Sequence, residues 1–166
     1  MRSAAGEGSR FSVEVPVSAA VSPSAVRRNE PHADPGQLAG IAVLCIDNDP
    51  QILDGMQTLL QGWGCHVLKA ADLEAAIAAI GADRASLSGL LVDYHLDEGN
   101  GIDAIVALRR RLGSQLPAIL ITADRSPHVR EAARLRDVPV LNKPVKPAAL
   151  RALLTQWRIQ RVAAAE

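Results

Sequence analysis

Aromatic residues are nearly missing from this chain: two Trp, one Tyr and one Phe make up 2% of it. A core with so few rings has to be filled by Ala, Leu, Ile and Val, and an apolar content of 48% is enough to fill one. Cysteine is scarce as well. Cys45 and Cys65 are too few for a disulfide framework or a four-thiolate zinc site, and Cys45, inside an apolar run, reads as inert packing. No apolar run reaches the roughly 18 residues of a membrane-spanning helix. The first residues lack the charged-then-apolar order of a signal peptide. Charge of one sign is also missing, with 18 basic and 18 acidic residues, so broad attraction to nucleic acid or membrane is not expected. The Arg109-Arg110-Arg111 cluster reads as a solvated helix end. A cytoplasmic, reducing setting fits all of this, and 166 residues allow one ordinary domain plus extra segments.

Composition divides the chain into three zones. Residues 1–17 hold the Gly-rich stretch Gly6-Glu7-Gly8-Ser9-Arg10 and then Phe11, Val13 and Val15, whose alternation predicts a short half-buried strand. Such a strand needs a partner, because alone it leaves its ladder groups unpaired. Residues 18–38 are rich in Ala, Ser and Pro and read as a flexible linker. From Ala39 the pattern becomes regular, and no internal repeat is visible.

That third zone alternates strand and helix. Strands are predicted over Ile41 to Ile46, about Cys65 to Lys69, Leu90 to Val92, Ala118 to Ile121 and Val138 to Leu141. The first is continuously apolar, as a strand covered on both faces should be. Asp49-Pro50 opens the first helix, with Asp as cap and Pro at the first helical position, and Gly62 and Gly64 end it. Its buried stripe is predicted as Ile52, Met56, Leu59, Leu60 and Trp63. Asp72, Gly101, Ser126-Pro127 and Pro147 mark the starts of four more helices. Strict alternation of five strands and five helices predicts an α/β doubly wound five-stranded parallel sheet.

Charged and hydroxyl residues stand at the carboxyl ends of four of those strands: Asp47-Asn48-Asp49, Asp93, Thr122 and Lys143. In an open parallel sheet these ends converge on the edge where ligands bind. Acids, a hydroxyl and one lysine gathered there suit a divalent cation and a phosphoryl group. Asp49 is better explained as a helix cap than as a ligand, and His66 and His128 as surface residues.

The segments Val43-Leu44-Cys45-Ile46-Asp47-Asn48-Asp49-Pro50, Leu91-Val92-Asp93-Tyr94-His95-Leu96, Ile121-Thr122-Ala123 and Asn142-Lys143-Pro144 resemble, in order and spacing, the receiver domain of two-component response regulators. The resemblance covers residues 39 to about 160 and implies the flavodoxin-like strand order 2-1-3-4-5. It implies that Asp93 is the phosphoacceptor, taking its group from a histidine kinase or histidine phosphotransfer protein. Mg2+ would sit between Asp47, Asp93 and the backbone carbonyl of His95, with Thr122 and Lys143 contacting the phosphoryl oxygens. It further implies a cis Lys143-Pro144 peptide. Such a domain is a phosphoacceptor rather than a classified enzyme.

Two positions depart from the family's pattern. Where a second metal-binding acid is usual, this chain has Asn48, whose amide oxygen can coordinate Mg2+ only without charge. A unit charge 4 Å from a cation is worth roughly 4 kcal/mol at an effective dielectric of 20, about twice that for a divalent ion, before desolvation cancels much of it. Weaker Mg2+ binding is the expectation. Val140 stands where many receivers carry an aromatic switch residue, so a muted output surface is expected. Both departures leave open a pseudo-receiver, the same fold used as an unphosphorylated protein-binding module. A flavin binder of this topology would need a phosphate-binding loop where Asp47-Asn48-Asp49 is acidic.

Gly8 to Pro16 resembles the closing segment of a histidine-kinase ATPase domain, and Lys143-Pro144-Val145-Lys146-Pro147 resembles receivers attached to such kinases. The expected organisation is therefore a kinase remnant over 1–17, a linker over 18–38 and a receiver over 39–162, the carboxyl-terminal part of a hybrid sensor kinase. No ATP-binding boxes lie upstream of the receiver and no helix-turn-helix follows residue 160, so neither ATP binding nor DNA binding by this chain is expected.

Overall fold

A computed structural model describes residues 2–4, 8–10, 12, 38–81 and 87–163. The chain divides into two units, Met1–His32 and Ala33–Glu166. In the first, β1 (Arg2–Ala4) pairs antiparallel with β2 (Gly8–Arg10), Arg2 opposite Arg10. Of the strand expected from Phe11 to Val15, only Ser12 is among the described residues, and it belongs to no strand. The rest of that expected strand lies outside the described residues; what is described pairs Arg2–Ala4 with Gly8–Arg10 of the Gly-rich stretch.

The second unit holds a five-stranded parallel sheet: β3 (Ala42–Ile46), β4 (His66–Ala70), β5 (Leu87–Asp93), β6 (Ala118–Thr122) and β7 (Val140–Asn142), in the order β4-β3-β5-β6-β7. This is the expected 2-1-3-4-5 arrangement. Five helices alternate with the strands: α1 (Pro50–Gly62), α2 (Leu73–Ile80), α3 (Gly101–Leu112), α4 (Pro127–Arg134) and α5 (Pro147–Ala163). Among the described residues no helix is long and apolar enough to cross a membrane.

The period-2 geometry of the strands sorts their side chains into two cores. Leu44, Ile46, Leu90, Val92 and Leu120 face α2, α3 and α4, meeting Ala76, Ile80, Ile102, Ile105, Leu108, Val129 and Ala133. Val43, Cys45, Leu91, Ile119 and Ile121 face α1 and α5, meeting Leu53, Leu60, Leu150, Leu154 and Trp157. Burial pushes the Cys45 thiol up to about 12, keeping it a neutral packing group.

Local chemistry starts and stops the helices. Asp49, Asp72, Asn100 and Ser126 each accept a hydrogen bond from a first-turn backbone N–H, satisfying donors that have no partner within the helix. Gly113 closes α3 in the left-handed conformation, after a last turn holding Arg109, Arg110 and Arg111. The stripe of α1 differs from expectation. Leu53 is buried while Ile52 is 40% exposed. The two neighbours lie 100° apart on the helix, and only Leu53 shares the sheet-facing stripe with Met56 and Leu60.

Strand β5 begins three residues before its apolar run, at Leu87-Ser88-Gly89. The buried Ser88 hydroxyl accepts the Ala42 N–H at 2.9 Å where the β3–β5 register shifts, so the side chain satisfies a donor at the irregularity. A Cβ at Gly89 would lie 2.3 Å from the Trp157 ring, so the ring of α5 packs directly on backbone. Gly89→Ala is expected to displace that ring and cost about 1–3 kcal/mol. Urea denaturation should show the lowered midpoint, while an unchanged midpoint would mean that α5 repacks freely.

Candidate functional site

The carboxyl ends of β3 and β5 lie side by side at the point where the chain's strand order reverses, with β4 built outward on one side and β6 and β7 on the other. Sheets of this kind open a crevice there. Asp47 follows β3 and Asp93 ends β5. The hydrogen-bond ladder runs on past the strands and clamps what comes next. Asp47 N–H donates to Ala70 at 3.2 Å, Tyr94 N–H to Ile121 at 2.8 Å, and Lys143 N–H to the Thr122 carbonyl at 2.8 Å. On the α3 side, Gly101 N–H donates to the Tyr94 carbonyl at 2.9 Å. A Cβ at Gly101 would stand 2.1 Å from the Asp93 carbonyl oxygen, so the start of α3 rests on the backbone of that aspartate.

These clamps bring Asp47, Asp93 and Lys143 together. The Lys143 Nζ lies 3.2 Å from Asp47 Oδ2 and 3.0 Å from Asp93 Oδ1. Asp47 Oδ1 is taken by the Asp49 N–H at 2.9 Å. Asp93 Oδ1 is fully buried and, although ion-paired, has no aligned hydrogen bond. Both carboxylates are almost fully buried, 6% and 5% exposed, and such charges are tolerated only when compensated. One ammonium serves two of them. Burial would lower the Lys143 pKa, but the attraction of the Asp93 carboxylate, then of Asp47, outweighs it and holds the ammonium above the ordinary lysine value. A raised lysine contributes stability that is complete below its unfolded pKa and lost only as pH climbs through the folded value. The ion pairs therefore persist across the neutral range.

Thr122 is fully buried, and its Oγ1 accepts the Asp124 N–H at 3.0 Å, tying the hydroxyl to the β6–α4 loop. Asp124 is fixed in turn: the Ser126 N–H donates to it at 2.7 Å, and bonds from the Ser126 backbone and hydroxyl hold its carboxyl below the usual range. His95 lies one residue beyond Tyr94, exposed, in a bridge with Asn100. The Lys143-Pro144 peptide is cis, as the resemblance implied. His66 and His128 are exposed, and Asp49 caps α1. Asn48 is exposed, and its amide donates not to Asp47 or Asp93 but to Asp97 Oδ1, at 2.5 Å. Sequence patterning gave no sign of Asp97, which sits in a polar turn with no periodicity. The Asn100 cap was passed over in favour of Gly101, though an Asn just before an apolar helical run is a local signal that could have found it.

The donor set fits a hard cation. Two carboxylates that share one ammonium leave an excess negative charge, and all the ligand atoms offered are oxygens. Among the described residues no three His, Cys, Asp or Glu side chains gather to enclose a metal. A cation held by one or two carboxylates and otherwise by water and phosphate oxygens is the habit of Mg2+ rather than of zinc.

Residues 43–155 match the family model described as the response regulator receiver domain. This chain belongs to that family. A two-component response regulator of Pseudomonas aeruginosa, PprB, is 31% identical over 112 residues, covering 66% of this chain but 40% of that protein. An uncharacterized 14.6 kDa protein of Leptolyngbya boryana is 31% identical over 122 residues, 72% of this chain and 92% of the other. The receiver fold recurs in the chemotaxis protein CheY4 of Vibrio cholerae, with TM-score 0.63, 24% identity and coverage of 70% of this chain and 97% of that one. It recurs also in a two-component response regulator from Clostridium difficile, with TM-score 0.66, 19% identity and coverage of 73% and 98%.

Removing the ammonium of this receiver should leave two buried carboxylates facing each other. Breaking a fully buried pair costs about 3–5 kcal/mol. The Lys143 side chain is 30% exposed, so Lys143→Met is expected to cost less, about 1–3 kcal/mol. Urea denaturation at neutral pH measures it, and a loss below about 0.5 kcal/mol, the size of an ordinary surface substitution, would show the three groups to be independent.

Proposed function

We propose that this receiver is a phosphoacceptor in a two-component phosphorelay, with Asp93 the residue phosphorylated. The observation that carries the proposal is the buried Asp93 carboxylate, held beside Asp47 and Lys143, with one oxygen lacking an aligned hydrogen bond. A carboxylate is a modest nucleophile, so catalysis here consists of positioning and charge neutralisation. An Asp93 oxygen attacks the phosphorus of a phosphohistidine on a kinase or phosphotransfer protein. The new P–O bond forms as the P–N bond breaks, and the leaving imidazole keeps the electron pair and takes a proton from solvent.

Asp47, Asp93 and the His95 carbonyl are the proposed Mg2+ ligands, with Asn48 a weak candidate. The ion, when bound, would neutralise phosphoryl oxygens that otherwise meet two carboxylates. Lys143 transfers part of its pairing from the carboxylates to a phosphoryl oxygen. The Thr122 hydroxyl leaves the Asp124 N–H for the same group and so biases the β6–α4 loop. Val140 is half-buried and offers no ring to reorient, which supports a station that receives and passes on the group over one with a strong output surface. The segment before residue 39 is read as a kinase remnant and linker, which makes the cytoplasm and a hybrid kinase the natural context.

The pseudo-receiver remains the second reading, because Asn48 engages Asp97 instead of the buried acids. Acetyl phosphate with Mg2+ separates the two. The unaltered chain is expected to gain one phosphoryl group by intact mass, and the gain should vanish in Asp93→Asn and on chelation with EDTA. No gain in the unaltered chain would favour the binding module.

A further inference from the structure

The acid missing at position 48 has a counterpart elsewhere. Asn48 follows β3 and Asp97 lies in the β5–α3 loop, 49 residues further along, yet their side chains meet at 2.5 Å. A carboxylate oxygen accepts and does not donate, so the Asn48 group facing Asp97 must be the NH2. The Asn48 carbonyl oxygen is therefore turned away from Asp97. An unrestrained exposed amide would present either end; this one is held in a single orientation. Its chain neighbour Asp47 shares the single Lys143 ammonium with Asp93, whose buried Oδ1 lies 3.0 Å from Nζ. Two buried carboxylates on one ammonium leave a negative charge over, the second observation that points to a cation here.

We infer that Asp97 is a positioning residue for the cation site: it orients the Asn48 amide and returns, from the neighbouring loop, the negative charge that an asparagine at that position gives up. The inference rests on the reading of this pocket as a Mg2+ site. It makes positions 48 and 97 a coupled pair. An acid at 48 would confront the Asp97 carboxylate across a hydrogen-bond distance, where like charges repel and neither can donate to the other. An acid at 48 opposite an amide at 97 would restore the same hydrogen bond with donor and acceptor exchanged. The site accordingly tolerates one acid and one amide in either order.

The test is a double-mutant cycle on the whole chain, with Mg2+ affinity measured calorimetrically for the unaltered protein, N48D, D97N and N48D/D97N. D97N is expected to weaken Mg2+ binding by about 3–10-fold, the effect of a lost nearby charge in a wet site. N48D alone should gain less than about threefold, because Asp97 opposes it, while N48D added to D97N should restore affinity to within about threefold of the unaltered chain. Both positions are exposed, so the variants are expected to fold, and thermal unfolding in EDTA checks it directly. Equal effects of N48D in both backgrounds, or no loss in D97N, would overturn the role of Asp97 and leave the Mg2+ site standing. An unaltered chain that binds no Mg2+ would remove the site and the positioning role together, a distinguishable result.

Discussion

One ammonium shared by two buried carboxylates is the constraint on which the rest of this structure turns. Lys143 reaches Asp47 and Asp93 from the far end of the chain and is the cation paired with both buried carboxylates. The arrangement is deliberately short of positive charge. Two carboxylates against one ammonium leave a negative charge over, and under the proposed function that charge is what a cation would meet. The same three side chains would then serve both stability and phosphoryl transfer.

The fold's contribution is to bring distant residues to one edge. Asp47 and Lys143 are 96 residues apart, yet parallel pairing of β3, β5, β6 and β7 delivers both to the same end of the sheet. Two cores, one on each face, make that edge rigid. Glycines admit close packing where a side chain would intrude: Gly101 lets α3 rest on the Asp93 backbone, and Gly89 lets Trp157 of α5 lie on β5. Thr122 is the exception to rigidity, since its hydroxyl is committed only to the N–H of a loop residue.

Much of this was legible from the residue pattern, for definable reasons. Continuous apolar runs marked the buried strands, and Asp47, Asp93, Thr122 and Lys143 were recognisable because each follows such a run. Helix starts were carried by Asp49-Pro50, Asp72 and Ser126-Pro127, whose capping chemistry is local. What escaped depended on tertiary partners. Ser88 and Gly89 look like a loop until Ala42 and Trp157 are placed against them. Val138 seemed part of the last strand; it is buried, but its N–H donates to Ala133 at the end of α4 and pairing begins at Val140. Ile52 was placed in the buried stripe of α1 and Leu53 was not; the sheet buries Leu53 and leaves Ile52 exposed. The Asn48–Asp97 contact joins two polar turns, and nothing periodic announces it.

The role proposed for Asp97 would account for an amide at position 48: a carboxylate on the adjacent loop, hydrogen-bonded to Asn48, would meet part of the pocket's need for negative charge. The most direct measurement is a Mg2+ titration followed residue by residue through backbone amide NMR shifts. The account predicts saturable shifts that appear together, with one affinity, at Asp47, Asp93 and Lys143. Shifts that fail to saturate, or that appear only at exposed acids away from these three, would contradict it.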